Sequence, residues 1–238
     1  MMAKLLPPNQ LIDNKLTNIK IINNVKLRKI FSLATLVIVA ASSFGAAAQG
    51  TVANAFKNAP ASIIPLLSTD ARLDMIDYFT SNMSTPSNNT QGGKSRIDAL
   101  SPESMHVILT PASELQIVAL PAGADSLIAI ISTVNTPAPD SKISVYSADW
   151  RQNLTAKTFA EPDLRQWLTD EGKRHADEVE MQLPFMLVSY IYDPATATLT
   201  MTNNSESFLA REVYETISAY LRPTLVYRWN GKKFEPVR

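Results

Sequence analysis

SMHVILTPASELQIVALPAGADSLIAIISTV, Ser104–Val134, decides the fold. Apolar residues recur at every second position in SMHVILT (Ser104–Thr110) and ELQIVAL (Glu114–Leu120), the period of a β-strand with one buried face. SLIAIISTV (Ser126–Val134) follows, and its centre, Leu127–Ile131, is apolar on both faces, which marks a central strand covered from both sides. The separators are short: Pro111-Ala112, then Pro121-Ala122-Gly123. Connections of this length allow only antiparallel neighbours, because a parallel crossover consumes about a dozen residues.

The pattern extends outward in both directions. SRIDAL precedes the run, and KISVYSADW follows it after TPAPD; both read as strands. Further on, Glu161 to about Glu180 reads as helix in two pieces around Gly172. PFMLVSYIYDPATATLTMTN is a hairpin turning at Asp193–Thr196. A helix capped by Ser205 or Ser207 runs to Leu221 and is ended by Pro223. TLVYRWNGKKFEPV closes as a hairpin on Asn230-Gly231, a strong turn signal. On the N-terminal side, TVANAFKNA is a short helix closed by Pro60. Ser68 or Thr69 caps a second helix to Met83, with Leu73, Ile76, Phe79 and Met83 on one stripe. The expected fold is α+β: a mostly antiparallel sheet of roughly seven to nine strands, with about three helices packed on it.

Compartment is written at the N-terminus. Lys26, Arg28 and Lys29 precede an uncharged run from Ile30 to Ala47 and a small-x-small site at Ala46–Ala48. This is the grammar of a secretory signal peptide cleaved between Ala48 and Gln49. A start at Val25 would make it an ordinary signal, so residues 1–24 read as a non-native extension, 25–48 as the signal and 49–238 as one α+β domain. A retained membrane anchor is the competing reading, because the run approaches the ~20 residues of a spanning helix. With residues 1–48 removed, 16 basic and 21 acidic residues remain, a net charge of about −5. Nucleic acid is therefore not the expected partner, since it demands basic surface. The chain has no cysteine, which excludes a lipid-modified N-terminus, a disulfide, a thiolate metal site and a cysteine nucleophile.

Motifs that could carry chemistry are thin. Gly92-Gly93-Lys94-Ser95 matches the second half of a phosphate-binding loop, but Asn88 stands where the first glycine belongs and the segment leads into a strand rather than a helix. No nucleotide is expected there. His106 lies on a strand, alternating with Ile108 on a half-exposed face. His175 and Glu178 form an i, i+3 pair, too few ligands for zinc and more in keeping with a solvated helix face. Asp70, Asp74 and Asp77 line the wet side of their helix. No nucleophile elbow or zinc-protease motif occurs. No catalytic, cofactor-binding or metal-binding residue is assigned, and any pair among the acids could in principle serve a hydrolase.

Along Pro184–Asp193 both alternating sets are apolar, so both faces of that strand need cover. Three helices, around Leu73, Trp167 and Val213, shield little more than one face of a broad sheet. Tyr190, Tyr192, Tyr227 and Trp229, with Tyr146 nearby, then form either an incompletely covered contact face or a core sealed by loops.

ISTVNTPAPDSKISVYSADW (Ile131–Trp150), YLRPTLVYRWNGKKFEPV (Tyr220–Val237) and PASIIPLL (Pro60–Leu67) resemble the family known as domain of unknown function 3256. It comprises exported proteins of anaerobic Gram-negative bacteria. The resemblance spans nearly all of the chain after Ala48 and implies a periplasmic or outer-envelope setting, with no activity to transfer. Some relatives carry cysteines near Asn135–Pro139, where this chain has none. Asp125-Ser126-Leu127 is similar to the O-glycosylation acceptor used in such bacteria, which makes Ser126 a candidate site. The expected role is a non-enzymatic binding or assembly protein of the envelope, needing no cofactor and having no membrane span after cleavage. Its expected partner is an envelope protein or glycan. The alternative is a carboxylate-dependent hydrolase of envelope sugar or peptide.

Overall fold

The computed structural model describes residues 52–83 and 85–237. Residues 52–58 form helix α1, and α2 spans Thr69–Thr80. Ser68 caps α2, its hydroxyl accepting from Ala71 N at 3.1 Å, and Asp70, Asp74 and Asp77 are exposed as read. A meander follows: β1 (Ser87–Asn88), β2 (Lys94–Leu100), β3 (Ser104–Thr110), β4 (Ser113–Ala122), β5 (Asp125–Val134) and β6 (Asp140–Ser147). These six strands pair antiparallel in chain order. Gly123 makes the β4–β5 turn at φ 71°, a backbone region where a side chain would be strained.

The chain then passes through α3 (Thr155–Thr158), α4 (Leu164–Trp167), α5 (Asp170–Arg174) and α6 (Ala176–Gln182). β7 (Val188–Asp193) and β8 (Thr198–Asn203) form a hairpin. α7 (Arg211–Ile217) lies between 3₁₀ turns at Ser205–Ser207 and Ser218–Tyr220, and β9 (Thr224–Trp229) and β10 (Phe234–Pro236) close the chain. The last four strands make a separate sheet, ordered β10-β9-β8-β7.

The antiparallel α+β reading holds, but the single sheet of seven to nine strands is corrected to two sheets of six and four, ten strands in all. The reason lies in β4–β6. One face of the meander, carrying Met105, Val107, Ile117, Ile128 and Ile130, packs on α1, α2 and the segment between them through Phe56, Ile64, Leu67 and Met75. The opposite face, carrying Val118, Leu120, Ile131, Ile143 and Val145, needs a second cover. The small sheet supplies it through Tyr190, Tyr192, Leu199, Met201, Tyr227 and Trp229. Its other face carries Thr198, Thr200 and Thr202, which suits a capping layer wet on one side.

The helices are shorter and more numerous than the three expected. Between Glu161 and Gln182 the sequence restarts repeatedly. Asp163 and Gln166 form a reciprocal capping box on α4, and Thr169 Oγ1 caps α5 by accepting from Gly172 N at 3.0 Å. Gly172 therefore lies inside a helix rather than between two, and the break comes at His175. Leu168, Val179, Leu183, Ile217 and Leu221 close these helices into a third small cluster. No helix among the described residues is long and apolar enough to cross a membrane.

Arg72 escaped the sequence reading. It is buried on α2 and donates to the carbonyls of Phe56 at 2.8 Å and Ala59 at 2.6 Å, tying down the end of α1. A cation at those carbonyls also complements the negative end of the helix dipole.

Candidate functional site

The small sheet covers only part of the meander's second face. Beyond it, β2, β3 and β4 present Arg96, Asp98, His106, Glu114 and Gln116. Period-two alternation puts all of them on this face, opposite the Ile97, Val107 and Leu115 set. The β2–β3 register shifts between Ile97 and Ala99, and such a bulge re-aims neighbouring side chains. Asp98 thereby reaches His106, Oδ2 standing 3.5 Å from Nδ1. Glu114 Oε2 stands 3.5 Å from Nε2 on the other side. The imidazole is held between two carboxylates and is about one-third exposed.

Where this polar half-face meets the edge of β7, a cavity of about 310 Å³ opens. Ser101, Ser104, His106, Glu114, Gln116 and Thr133 give it donors and acceptors, with Leu100 and Ile191 as apolar contacts. Gln116 builds the corner. Its carboxamide pairs with the β7 backbone as a strand would, accepting from Tyr192 N at 2.9 Å and donating to Tyr192 O at 2.7 Å. Two further edge groups are satisfied similarly, Val188 N by Asp140 Oδ1 and Tyr190 N by Ser141 Oγ, each at 3.0 Å. An open sheet edge is a template for unwanted pairing; here side chains of the larger sheet close it.

Tyr190, Tyr192, Tyr227 and Trp229 do not form a contact face. They are 3–5 % exposed, packed between the sheets. The seal is the meander itself rather than loops. Phe234 sits among them, 5.1 Å from Trp229 and 5.9 Å from Tyr192 between ring centres. The Trp229 indole N–H donates to Pro121 O at 2.7 Å. Tyr146 belongs elsewhere, 5.4 Å from Trp150. Burial, and then the nearby Asp193 charge, pushes the Tyr192 phenol up to about 12. Burial raises Tyr227 as well, partly offset by the hydrogen bond from Gln166. Phe185 was read as part of this strand, but it precedes β7 and is exposed.

The other sequence candidates are dispersed. Asp125 and Ser126 start β5 at the β4–β5 turn, exposed and half-buried respectively. Ala48 and Gln49 lie outside the described residues. The loop at Gly92-Gly93 is a β-hairpin turn in which the Asn89 carboxamide oxygen accepts from Gln91 N at 3.1 Å and Gly93 N at 2.8 Å. The amides a phosphate would need are thus occupied, and Lys94 opens a strand. His175 lies 3.3 Å from both Glu171 and Glu178 and stacks on Tyr220 at 4.6 Å. Among the described residues no group of three or more acids and histidines is arranged to hold a metal ion.

A solved structure described as a domain of an uncharacterized protein from Porphyromonas gingivalis W83 superposes with a TM-score of 0.67. It covers 79 % of this chain and 98 % of its own at 21 % identity, so the likeness speaks for the fold. No curated protein matches. The sequence match to a family model runs over residues 44–234 and takes in every strand and helix of both sheets up to Phe234, and on that extent the chain belongs to the family described as protein of unknown function DUF3256.

Proposed function

We propose that this is an exported cell-envelope protein that binds a glycan in the corner between the polar half-face of β2–β4 and the edge of β7. The observation that carries this reading is the held imidazole of His106 beside Glu114 and Gln116, in a cavity that mixes donors and acceptors as sugar hydroxyls require. The basic cluster, apolar run and Ala48/Gln49 site support export. O-glycosylation at Ser126 belongs to the same proposal, supported by its place beside the exposed Asp125 at the β4–β5 turn.

Asp98 and Glu114 are the acidic pair the hydrolase alternative would use. A glycosidase needs the space between its carboxylates for the scissile bond or a water. Here the His106 ring occupies that space, which favours binding over cleavage.

The test has two arms. N-terminal sequencing of the protein from fractionated cells should begin at Gln49 in the periplasmic or outer-envelope fraction; a species retaining Ile30–Ala47 would support the anchor. Calorimetry with envelope oligosaccharides should show binding that His106→Ala weakens by roughly tenfold, equivalent to about 1.4 kcal/mol. Release of shortened saccharides during titration, abolished by Glu114→Gln, would establish the hydrolase instead.

A further inference from the structure

A second concavity, of about 300 Å³, is walled by the start of β6, the segment ahead of α4, α6 and the first residues of β7. Its charged lining is one-sided. Asp140, Glu161 and Glu180 contribute to it, with no lysine, arginine or histidine, and the rest is largely apolar, including Trp167, Leu183, Phe185 and Met186. Among the described residues none of these three carboxylates stands in an ion pair, whereas Asp98, Glu171 and Glu215 do. An acid-lined concavity with apolar walls concentrates negative potential and attracts cations.

Tyr190 supplies an independent pointer. It is 5 % exposed. Tyr227 Oη accepts from Gln166 Nε2 at 2.9 Å, but the Tyr190 hydroxyl has no hydrogen-bond partner among the described residues. It is not sealed either, since the sealed, unpartnered side-chain atoms there are Ser87 Oγ and Trp150 Nε1. Burial raises its phenol most, and the charges of Glu161 and Asp140 raise it further. Tyr190 itself lines this pocket together with both acids. A hydroxyl that has no partner within the fold and is open to the pocket is free to accept from a ligand.

We propose that this pocket binds a primary ammonium group on an aliphatic stem, as a diamine or a lysine side chain presents it. The ammonium offers three N–H donors and a positive charge. The phenol oxygen accepts one donor, the carboxylates neutralise the charge, and the stem lies along the apolar wall. Neighbouring aromatic rings favour a cation further. A metal ion fits poorly, because among the described residues no three acids or histidines are grouped to hold one. Tyr190 borders the corner as well, but Asp140, Glu161 and Glu180 line this pocket alone.

Calorimetry of the purified protein at low salt, with cadaverine and with a capped lysine amide as probes, tests the proposal. Binding of cadaverine alone would point to a small diamine, and binding of the capped lysine alone to a peptide; either supports the ammonium chemistry. An Nε-acetylated lysine should not bind. Tyr190→Phe should weaken binding roughly tenfold without moving the melting temperature, since no hydrogen bond within the fold is lost. Glu161→Gln and Glu180→Gln should do likewise. Failure of both probes to bind, or wild-type affinity in the combined Tyr190→Phe, Glu161→Gln variant, overturns it. So does calcium binding that Glu161→Gln abolishes.

Discussion

Gln116 carries more structural responsibility than any charged residue near it. Its carboxamide satisfies both the N–H and the C=O of Tyr192, and its Nε2 also lies 3.3 Å from Ser104 Oγ. Removing it leaves two edge groups of β7 unpaired at a half-buried seam. Gln116→Ala should cost about 1–3 kcal/mol, the penalty of orphaned buried polar groups, measured by urea unfolding. A loss below about 0.5 kcal/mol, typical of a surface change, would mean that water replaces it freely. Alternation puts Gln116, Glu114 and His106 on the polar side of the meander, but the sequence singles out only His106, because the register that brings Gln116 opposite His106 is set by pairing between strands. The β7 partner of Gln116 was not legible either, because Tyr192 lies 76 positions away.

At the scale of elements, α5 depends on a contact that helix propensity would misjudge. Gly172 is buried, and a Cβ there would stand 2.2 Å from the Tyr220 carbonyl oxygen. That carbonyl also accepts from Thr169 N at 2.8 Å. Gly→Ala inside a helix normally stabilises by up to about 1 kcal/mol. Gly172→Ala should instead destabilise by about 1–3 kcal/mol, as overpacking does, and the sign is read from the shift of the urea midpoint. A sequence reader sees the same glycine as a helix breaker, which is why two helical pieces around it were expected. The capping signals at Asp163, Gln166 and Thr169 were present in the sequence, and they show where the chain restarts.

On the scale of the whole molecule, the two sheets are joined by an aromatic seam that responds to alkali. In the unfolded chain a tyrosine ionises near pH 10, whereas Tyr192 holds its proton to about 12 and Tyr190 and Tyr227 are also raised. Below pH ~10 both states keep these protons and the contribution to stability is whole. Above it the unfolded chain releases protons first, so stability falls as pH climbs toward the folded values. Tyrosinate absorbance followed with circular dichroism should show Tyr190, Tyr192 and Tyr227 ionising only as the fold is lost. Ionisation of these three near pH ~10 with the fold intact would contradict a buried aromatic seam.

The sequence by itself determined nine of the ten strands, their antiparallel neighbours and most turns, because period-two alternation and connections of two or three residues act between near neighbours. It also determined that Leu127–Ile131 needs cover on both sides. Tertiary structure alone decided what provides that cover. An apolar face announces that it must be buried, not against what. Tyr190, Tyr192, Tyr227 and Trp229 read equally as a contact face or a core until Trp229 is seen bonded to Pro121, 108 positions away, across the two sheets. The same docking leaves His106, Glu114 and Gln116 in an open corner, since a four-stranded sheet cannot cover a six-stranded one.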